Sequence, residues 1–308
     1  MRCAMVTVHT LFIEDHGLPL HLSLYECSPQ APAVIFLHGM TAHAGFYSEM
    51  IPGANYLQAL AEAGLNVIAL DLQGHGRSGG ARGRFTYADA IRNIRRTVEF
   101  AIDRYHDRIG ITGSSMGGIL AFYAALEDPR IRAAVCHNVL DLQDIRPVLY
   151  LRRHFILVPL ARAARPFRSF LGWMPVPVRA FLEPSHVFEK PENLQRWQAD
   201  RLCVWAYSLS AWISVFLNPA DKPPIEAMTK PVRLVVGERD RILPADYHRE
   251  FLARLRCRKD LIVVPGAGHM LPLEYLEITV PLVAEWFHEH LHHSRGSGND
   301  PGGSERRR

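Results

Sequence analysis

Apolar residues in this chain fall into short blocks whose spacing switches repeatedly between two periods. Ala33-Val34-Ile35-Phe36-Leu37 is a continuous run, and Asn66 to Leu70 is nearly so, the pattern of strands buried on both faces. Tyr56 to Ala63 reads as a helix ending at Gly64, and Tyr87 to Tyr105 carries Ile91, Ile94, Val98 and Ile102 at helical spacing. Near the start, Val6 to Ile13 and Leu18 to Tyr25 flank Glu14-Asp15-His16-Gly17 and predict a hairpin. A strand over 109–112, a small-residue helix from Gly118 to Leu126 and a strand from Ala133 to Cys136 follow. Beyond residue 230 come the strand Val232 to Val236, the helix Ala245 to Leu255, the strand Leu261 to Val264 and a last helix from Leu276 to Leu291. Strands alternating with helices predict an α/β fold with a mostly parallel sheet covered on both faces.

From 139 to 229 the alternation stops, and the segment is rich in Pro, Trp, Phe and Arg with helical periods. The expected organisation is a core formed by 1–138 and 230–293, with a helical cap inserted over 139–229. Residues 294–308 are Gly-, Ser- and Arg-rich with almost no apolar side chains, the composition of a disordered tail.

With 308 residues, 48% of them hydrophobic, one large core is within reach. The net charge of +4 comes without a lysine-rich run, which argues against nucleic-acid binding. Five scattered cysteines (Cys3, Cys27, Cys136, Cys203 and Cys257) suit reduced thiols better than a disulfide framework. Met1 to Thr7 lacks an apolar segment and a small-residue cleavage site, so a cytoplasmic location is expected. No apolar stretch approaches the ~20 residues of a membrane span.

The chemistry is concentrated in Gly113-Ser114-Ser115-Met116-Gly117, set between a strand and a helix. By composition alone a Gly-x-Ser-x-Gly pattern arises in roughly one chain in ten of this length, so its context decides its meaning. A strand–turn–helix setting is that of the nucleophile elbow of an α/β-hydrolase, in which a tight turn exposes the serine hydroxyl. Ser115 is then the candidate nucleophile, and Gly113 and Gly117 allow the close packing around it. His38-Gly39-Met40 follows the first buried strand, where this fold places an oxyanion donor. The donors would be the backbone N–H groups of Met40 and Met116, with Gly39 allowing close approach and His38 bracing the loop.

In this fold the acid and then the histidine follow the serine along the chain. His269, in the Gly-rich loop Pro265 to Met270 after a late strand, is the candidate base. His248 sits in a helical pattern, and His288, His290, His292 and His293 lie at the frayed end of the chain, where they read as a solvated helix terminus rather than a metal site. Asp240 is the candidate acid, with Glu238 beside it as a structural residue and Asp141 or Asp144 as alternatives after the preceding strand.

These motifs resemble those of serine hydrolases of the monoacylglycerol lipase/lysophospholipase type. The likeness rests on Phe36 to Gly39, Leu70 to Gly79, Gly113 to Gly118, Gly237 to Asp240 and Gly266 to His269, in the family's order. It implies an α/β-hydrolase fold, a Ser115–His269–Asp240 triad, a lid over the site and no cofactor or metal. Two positions depart from the family's pattern: Ser114 stands where relatives carry histidine, and Met40 to Ala44 lacks a Glu-His pair. The glycine-rich Gly74 to Ser78 loop has neither the spacing nor the lysine of a phosphate cradle and reads as structural.

Residues 145–182 hold seven arginines (Arg146, Arg152, Arg153, Arg162, Arg165, Arg168 and Arg179) and no acid, interleaved with Tyr150, Phe155, Phe167, Phe170 and Trp173. Such a segment can roof an acyl cavity or rest on an anionic lipid surface. The expected substrate is a carboxylic ester of a lipophilic acyl group, hydrolysed through an acyl-enzyme. The same triad also serves thioester, amide or carbon–carbon cleavage and acyl transfer, and a non-catalytic ligand-binding relative is the reading from another class.

Overall fold

The computed structural model describes residues 3, 5–144, 159, 163 and 168–291. Strands β1 (Thr7–Asp15) and β2 (Leu18–Glu26) form the expected hairpin, its two-residue turn having φ of 52° at His16 and 79° at Gly17. Two left-handed residues give a turn whose twist matches the flanking strands. Pairing runs from Thr7↔Glu26 to Asp15↔Leu18, past the boundaries at Tyr25 and Ile13 that the apolar pattern suggested.

β3 (Ala33–Leu37) and β4 (Asn66–Leu70) are buried along their whole length and pair in parallel. Helices α1 (Phe46–Glu49) and α2 (Tyr56–Glu62) join them, and α3 (Tyr87–Arg104) leads to β5 (Ile109–Ser114). α3 starts with a reciprocal cap: Thr86 Oγ1 accepts from the Asp89 N–H and Asp89 Oδ2 accepts from the Thr86 N–H. Its Ile91, Ile94 and Val98 are buried, each contributing roughly 1.5–3 kcal/mol of apolar burial. α4 (Met116–Glu127) and β6 (Ile131–His137) follow.

After β6 the chain leaves the sheet, and among the described residues no element rejoins it before residue 232. This excursion contains α5 (Arg168–Leu171), α6 (Pro191–Ala199) and α7 (Leu209–Phe216). It also holds β7 (Pro175–Pro177) and β8 (Ala206–Ser208), which pair only with each other. Arg146, Arg152, Arg153, Arg162, Arg165, Tyr150, Phe155, Phe167 and the 294–308 tail lie outside the described residues. β9 (Val232–Gly237), α8 (Ala245–Arg254), β10 (Lys259–Val264), α9 (Leu271–Glu274) and α10 (Leu276–Leu291) complete the chain.

The resulting eight-stranded sheet has the order β1-β2-β4-β3-β5-β6-β9-β10, parallel from β4 to β10 with β1 and β2 antiparallel. The chain steps from β3 to β4 on one side and then crosses to β5 on the other. That reversal leaves a crevice beyond the carboxyl ends of β3 and β5, where sheets of this type gather their ligands. His38-Gly39-Met40 and Ser115 are the residues that emerge there.

Candidate active site

Ser115 links β5 to α4 with φ 55° and ψ −120°, a conformation that non-glycine residues adopt only under constraint. The constraint is visible on both sides of the turn. The Ser115 N–H donates to His137 O at 2.8 Å, and its carbonyl accepts from the Ile119 N–H at 3.1 Å. A Cβ on Gly117 would stand 2.1 Å from Leu37 O, and one on Gly113 would stand 2.3 Å from Gly117 O. Only hydrogen fits at either position, so the two glycines let α4 sit directly against the end of β3. The helix consequently begins at Met116 rather than at Gly118, where the sequence pattern placed it.

His269 and Asp240 reach the same region from the loops after β10 and β9. His269 Nδ1 lies 2.7 Å from Asp240 Oδ2, and both side chains are buried. The other Asp240 oxygen accepts from the amides of Ile242, at 2.7 Å, and Leu243, at 3.0 Å. Asn138 Nδ2 donates to Oδ2 at 2.7 Å. Burial would raise the Asp240 pKa, but the His269 charge, its hydrogen bond and the two amides outweigh it and hold the carboxyl below the ordinary range. An anionic acceptor so placed keeps the ring proton on Nδ1 and leaves Nε2 free to act as a base.

The rival residues are engaged elsewhere. Asp141 Oδ2 takes a 2.7 Å bond from Arg254 Nη1, and Asp144 N–H donates to Asp141 O. Glu238 accepts from the Gly266 N–H at 2.7 Å and so ties the two loops together. His248 accepts from the Val139 N–H at 3.1 Å and faces Pro244 O at 3.0 Å through Nδ1. It braces the segment beside Asn138. Asn138 itself, with φ 75° and a hydrogen bond to Asp240, was not singled out from the sequence. An Asn at a strand end is an ordinary turn signal, so only three-dimensional proximity reveals its contact.

Gly39 brings the other loop close to Ser115: a Cβ there would lie 3.2 Å from Ser114 O and 3.4 Å from Ser115 Cβ. Among the described residues neither the Met40 nor the Met116 amide donates to a protein acceptor. For Met116 this is the ordinary state of a first helical N–H. His38 takes the Leu72 N–H on Nε2 at 3.2 Å and meets Gly39 O through Nδ1 at 2.9 Å. Residues of the excursion between β6 and β9 grip the next residue, Thr41, whose φ is 71°. Its N–H donates to Tyr207 Oη, its Oγ1 accepts from Trp197 Nε1, and its carbonyl accepts from the Val204 N–H, each at 2.9 Å. Tyr207 Oη in turn meets His75 Nε2 at 2.8 Å. The Gly74 to Ser78 loop wraps Asp71, which accepts from the Ala44 and Arg77 amides.

Two small cavities meet at Met40. Ser115, His269, Phe46, Leu182, Trp197 and Met270 line one. Met116, Phe85, Tyr207, Trp212, Val215 and Phe216 line the other. The sequence-selected Ser115, His269, Met40 and Gly39 thus share one chamber, with a second apolar chamber on the far side of Met40.

Four buried histidines support this region as neutral rings. Burial pushes His38, His137 and His248 down to about 4 and His75 to about 3. The unfolded chain takes up protons at these rings from about pH 6.5, whereas the folded protein resists until near pH 4. Stability is therefore expected to be fully present above 6.5 and to fall as pH drops toward 4. Asp71 adds a lower window. Although burial opposes it, hydrogen bonding to His21, the His38 charge and the two amides hold Asp71 at about 2, so its contribution is lost only below the usual carboxylate range. Urea midpoints across pH would check this, and a midpoint unchanged down to pH 4 would contradict it.

Comparison with known proteins agrees with this architecture. A monoacylglycerol lipase of Mycolicibacterium smegmatis is 29% identical over 269 residues, 84% of this chain and 88% of that protein. The crystal structure of Paleococcus ferrophilus monoacylglycerol lipase superposes with a TM-score of 0.68 at 22% identity, covering 92% of this chain and 99% of its own. A soluble variant of Saccharomyces cerevisiae monoglyceride lipase, bound to a substrate analogue, gives 0.75 at 14% identity, with 95% and 99% covered. Residues 28–275 match the model of the family described as serine aminopeptidase S33, and the chain belongs to that family of α/β-hydrolases.

Proposed function

We propose that the protein hydrolyses carboxylic esters of lipophilic acyl groups, with Ser115, His269 and Asp240 as its triad. His269 Nε2 takes the proton from Ser115 Oγ as the oxygen attacks the acyl carbonyl. The Met40 and Met116 amides receive the charge that builds on the carbonyl oxygen. The imidazolium then gives its proton to the departing alcohol, leaving an acyl-enzyme on Ser115. Water, activated by the same ring, releases the acid and restores the hydroxyl. Asp240 stays ionised throughout and keeps Nδ1 protonated.

The observation that carries this reading is the shared chamber of Ser115 and His269, next to two amides without acceptors among the described residues. The likeness to monoacylglycerol lipases supports the substrate class. The family's description raises amide cleavage at a peptide amino terminus as a second reading. A peptide ammonium needs an anionic partner, however, and the described residues lining the two chambers include no carboxylate. Apolar chambers suit acyl chains, which gain about 0.8 kcal/mol for each buried methylene. Exposed Phe170, Leu171, Trp173 and Met174 would bring the cap to a lipid or micelle surface.

A panel of esters from acetyl to palmitoyl, with a monoacylglycerol, a lysophospholipid and an aminoacyl amide, tests the proposal. The expected result is a maximum at medium or long acyl chains and Ser115 labelling by a fluorophosphonate. Labelling with preference for the aminoacyl amide would move the assignment to a peptidase. No labelling at all would leave a ligand-binding pocket.

A further inference from the structure

A second cluster of chemically capable side chains lies where the cap meets the loop after β3. The ligand atoms of His43, Asp200 and Cys203 all lie within 4.8 Å of one another, with His43 and Cys203 buried. His43 Nε2 stands 2.9 Å from Asp200 Oδ2, although 157 residues separate the two in sequence. We propose that His43, Asp200 and Cys203 form a binding site for a divalent transition-metal ion of the zinc class, which fastens the cap to the oxyanion loop.

The donor set suits such an ion. One imidazole nitrogen, one carboxylate oxygen and one thiolate sulfur favour zinc or cobalt over the hard, all-oxygen preference of magnesium and calcium. The carboxylate and the thiolate supply two negative charges, which balance the ion. Around a tetrahedral zinc, with bonds of about 2.0–2.3 Å, neighbouring ligand atoms stand about 3.3–3.6 Å apart. Ligand atoms gathered within 4.8 Å need only small side-chain rotations to reach that spacing. The 2.9 Å His43–Asp200 contact must open slightly and the sulfur must close in.

The surroundings orient the donors. Asp200 Oδ1 accepts from the Leu202 N–H at 2.8 Å, which leaves Oδ2 turned to His43. Such outer contacts fix a ligand before the ion arrives. The Asp200 side chain keeps 22% exposure, an opening through which the ion can enter and hold water as a fourth ligand. Without the ion, His43 donates its Nε2–H to Asp200. On binding, the ring proton shifts to Nδ1, the Cys203 thiol releases its proton to solvent, and three lone pairs face the metal.

The site would tie together elements the reaction needs held in place. His43 lies three residues after Met40, and Val204, next to Cys203, already donates to Thr41 O. An ion here would join that loop to the cap through coordinate bonds as well as hydrogen bonds. This proposal stands apart from the ester chemistry, because its test reads binding and not turnover.

Cobalt(II) titration of the metal-stripped full chain provides that test. The expected result is one ion per chain at micromolar affinity, with a thiolate-to-cobalt charge-transfer band and the visible bands of a tetrahedral site. Cys203→Ser should abolish the charge-transfer band, and His43→Gln should weaken binding at least tenfold. Zinc at a hundredfold excess over its Kd should raise Tm by about 5 °C in the unaltered chain and leave Cys203→Ser unmoved. His292→Ala/His293→Ala should bind as the unaltered chain does. Failure to bind at micromolar affinity, a charge-transfer band that survives Cys203→Ser, or binding lost only in the double histidine variant would each overturn the site.

Discussion

Replacing Ser115 with alanine is expected to lower kcat by about 10⁵- to 10⁶-fold, the loss seen when a serine nucleophile is removed from a working triad. KM should change little, because one hydroxyl is a small part of a chamber lined by Phe46, Leu182, Trp197 and Met270. The fold should persist. The turn at φ 55° is enforced by backbone bonds to His137 and Ile119 and by the packing of Gly113 and Gly117, none of which involves the hydroxyl. Steady-state kinetics on a medium-chain ester, with a thermal melt of the same preparation, measure both parts. Activity retained above about 10⁻³ of the original would remove Ser115 from the chemistry. Lost activity with a collapsed melt would instead give the residue a role in folding.

The strand–turn–helix setting of Ser115 is legible in the sequence because of how this fold is built. β3 and β4 are buried on both faces, so their residues are almost uniformly apolar and easily recognised. The elbow is local, and five consecutive residues carry its geometry. Gly118 opens the helix in the sequence pattern, and Gly117 belongs to the turn before it. Here they lie inside α4, since a Cβ on Gly118 would stand 2.4 Å from Asn138 O and one on Gly117 would press on Leu37 O. Close approach, not flexibility, explains them.

Contacts from the excursion between β6 and β9 leave no such trace. Thr41 and Tyr207 are 166 residues apart, and the bond between them depends on how that excursion settles beside the sheet. The same holds for His43 and Asp200. A polar residue in a loop carries no periodicity, so the sequence identifies neither partner. The departures from the family's pattern also take on meaning only in the fold. Ser114 is buried with its hydroxyl 4.0 Å from the Sδ of Met270, which lines the candidate chamber.

Asp240→Asn is the second large effect, expected at about a 10⁴-fold loss of kcat with the structure intact, and its cause is a matter of hydrogen-bond direction. One Asp240 oxygen accepts from the Ile242 and Leu243 amides, which cannot turn away. An asparagine must present its carbonyl oxygen to them, or two backbone donors would face a third donor. Its NH₂ group then occupies the position of Oδ2, facing His269 Nδ1 and Asn138. Asn138 can accommodate this by turning over its amide, because its own Oδ1 has no partner among the described residues. His269 cannot do so without cost. To accept from the new NH₂ its Nδ1 must lose the proton, which moves to Nε2, and Nε2 then has no lone pair to take the Ser115 proton. Kinetics at saturating ester, with a melt showing a Tm within a few degrees of the unaltered protein, would read this effect. A loss below about tenfold would exclude Asp240 as the acid, whereas Asp141→Asn, which breaks only the Arg254 pair, should leave kcat within about tenfold of the unaltered enzyme.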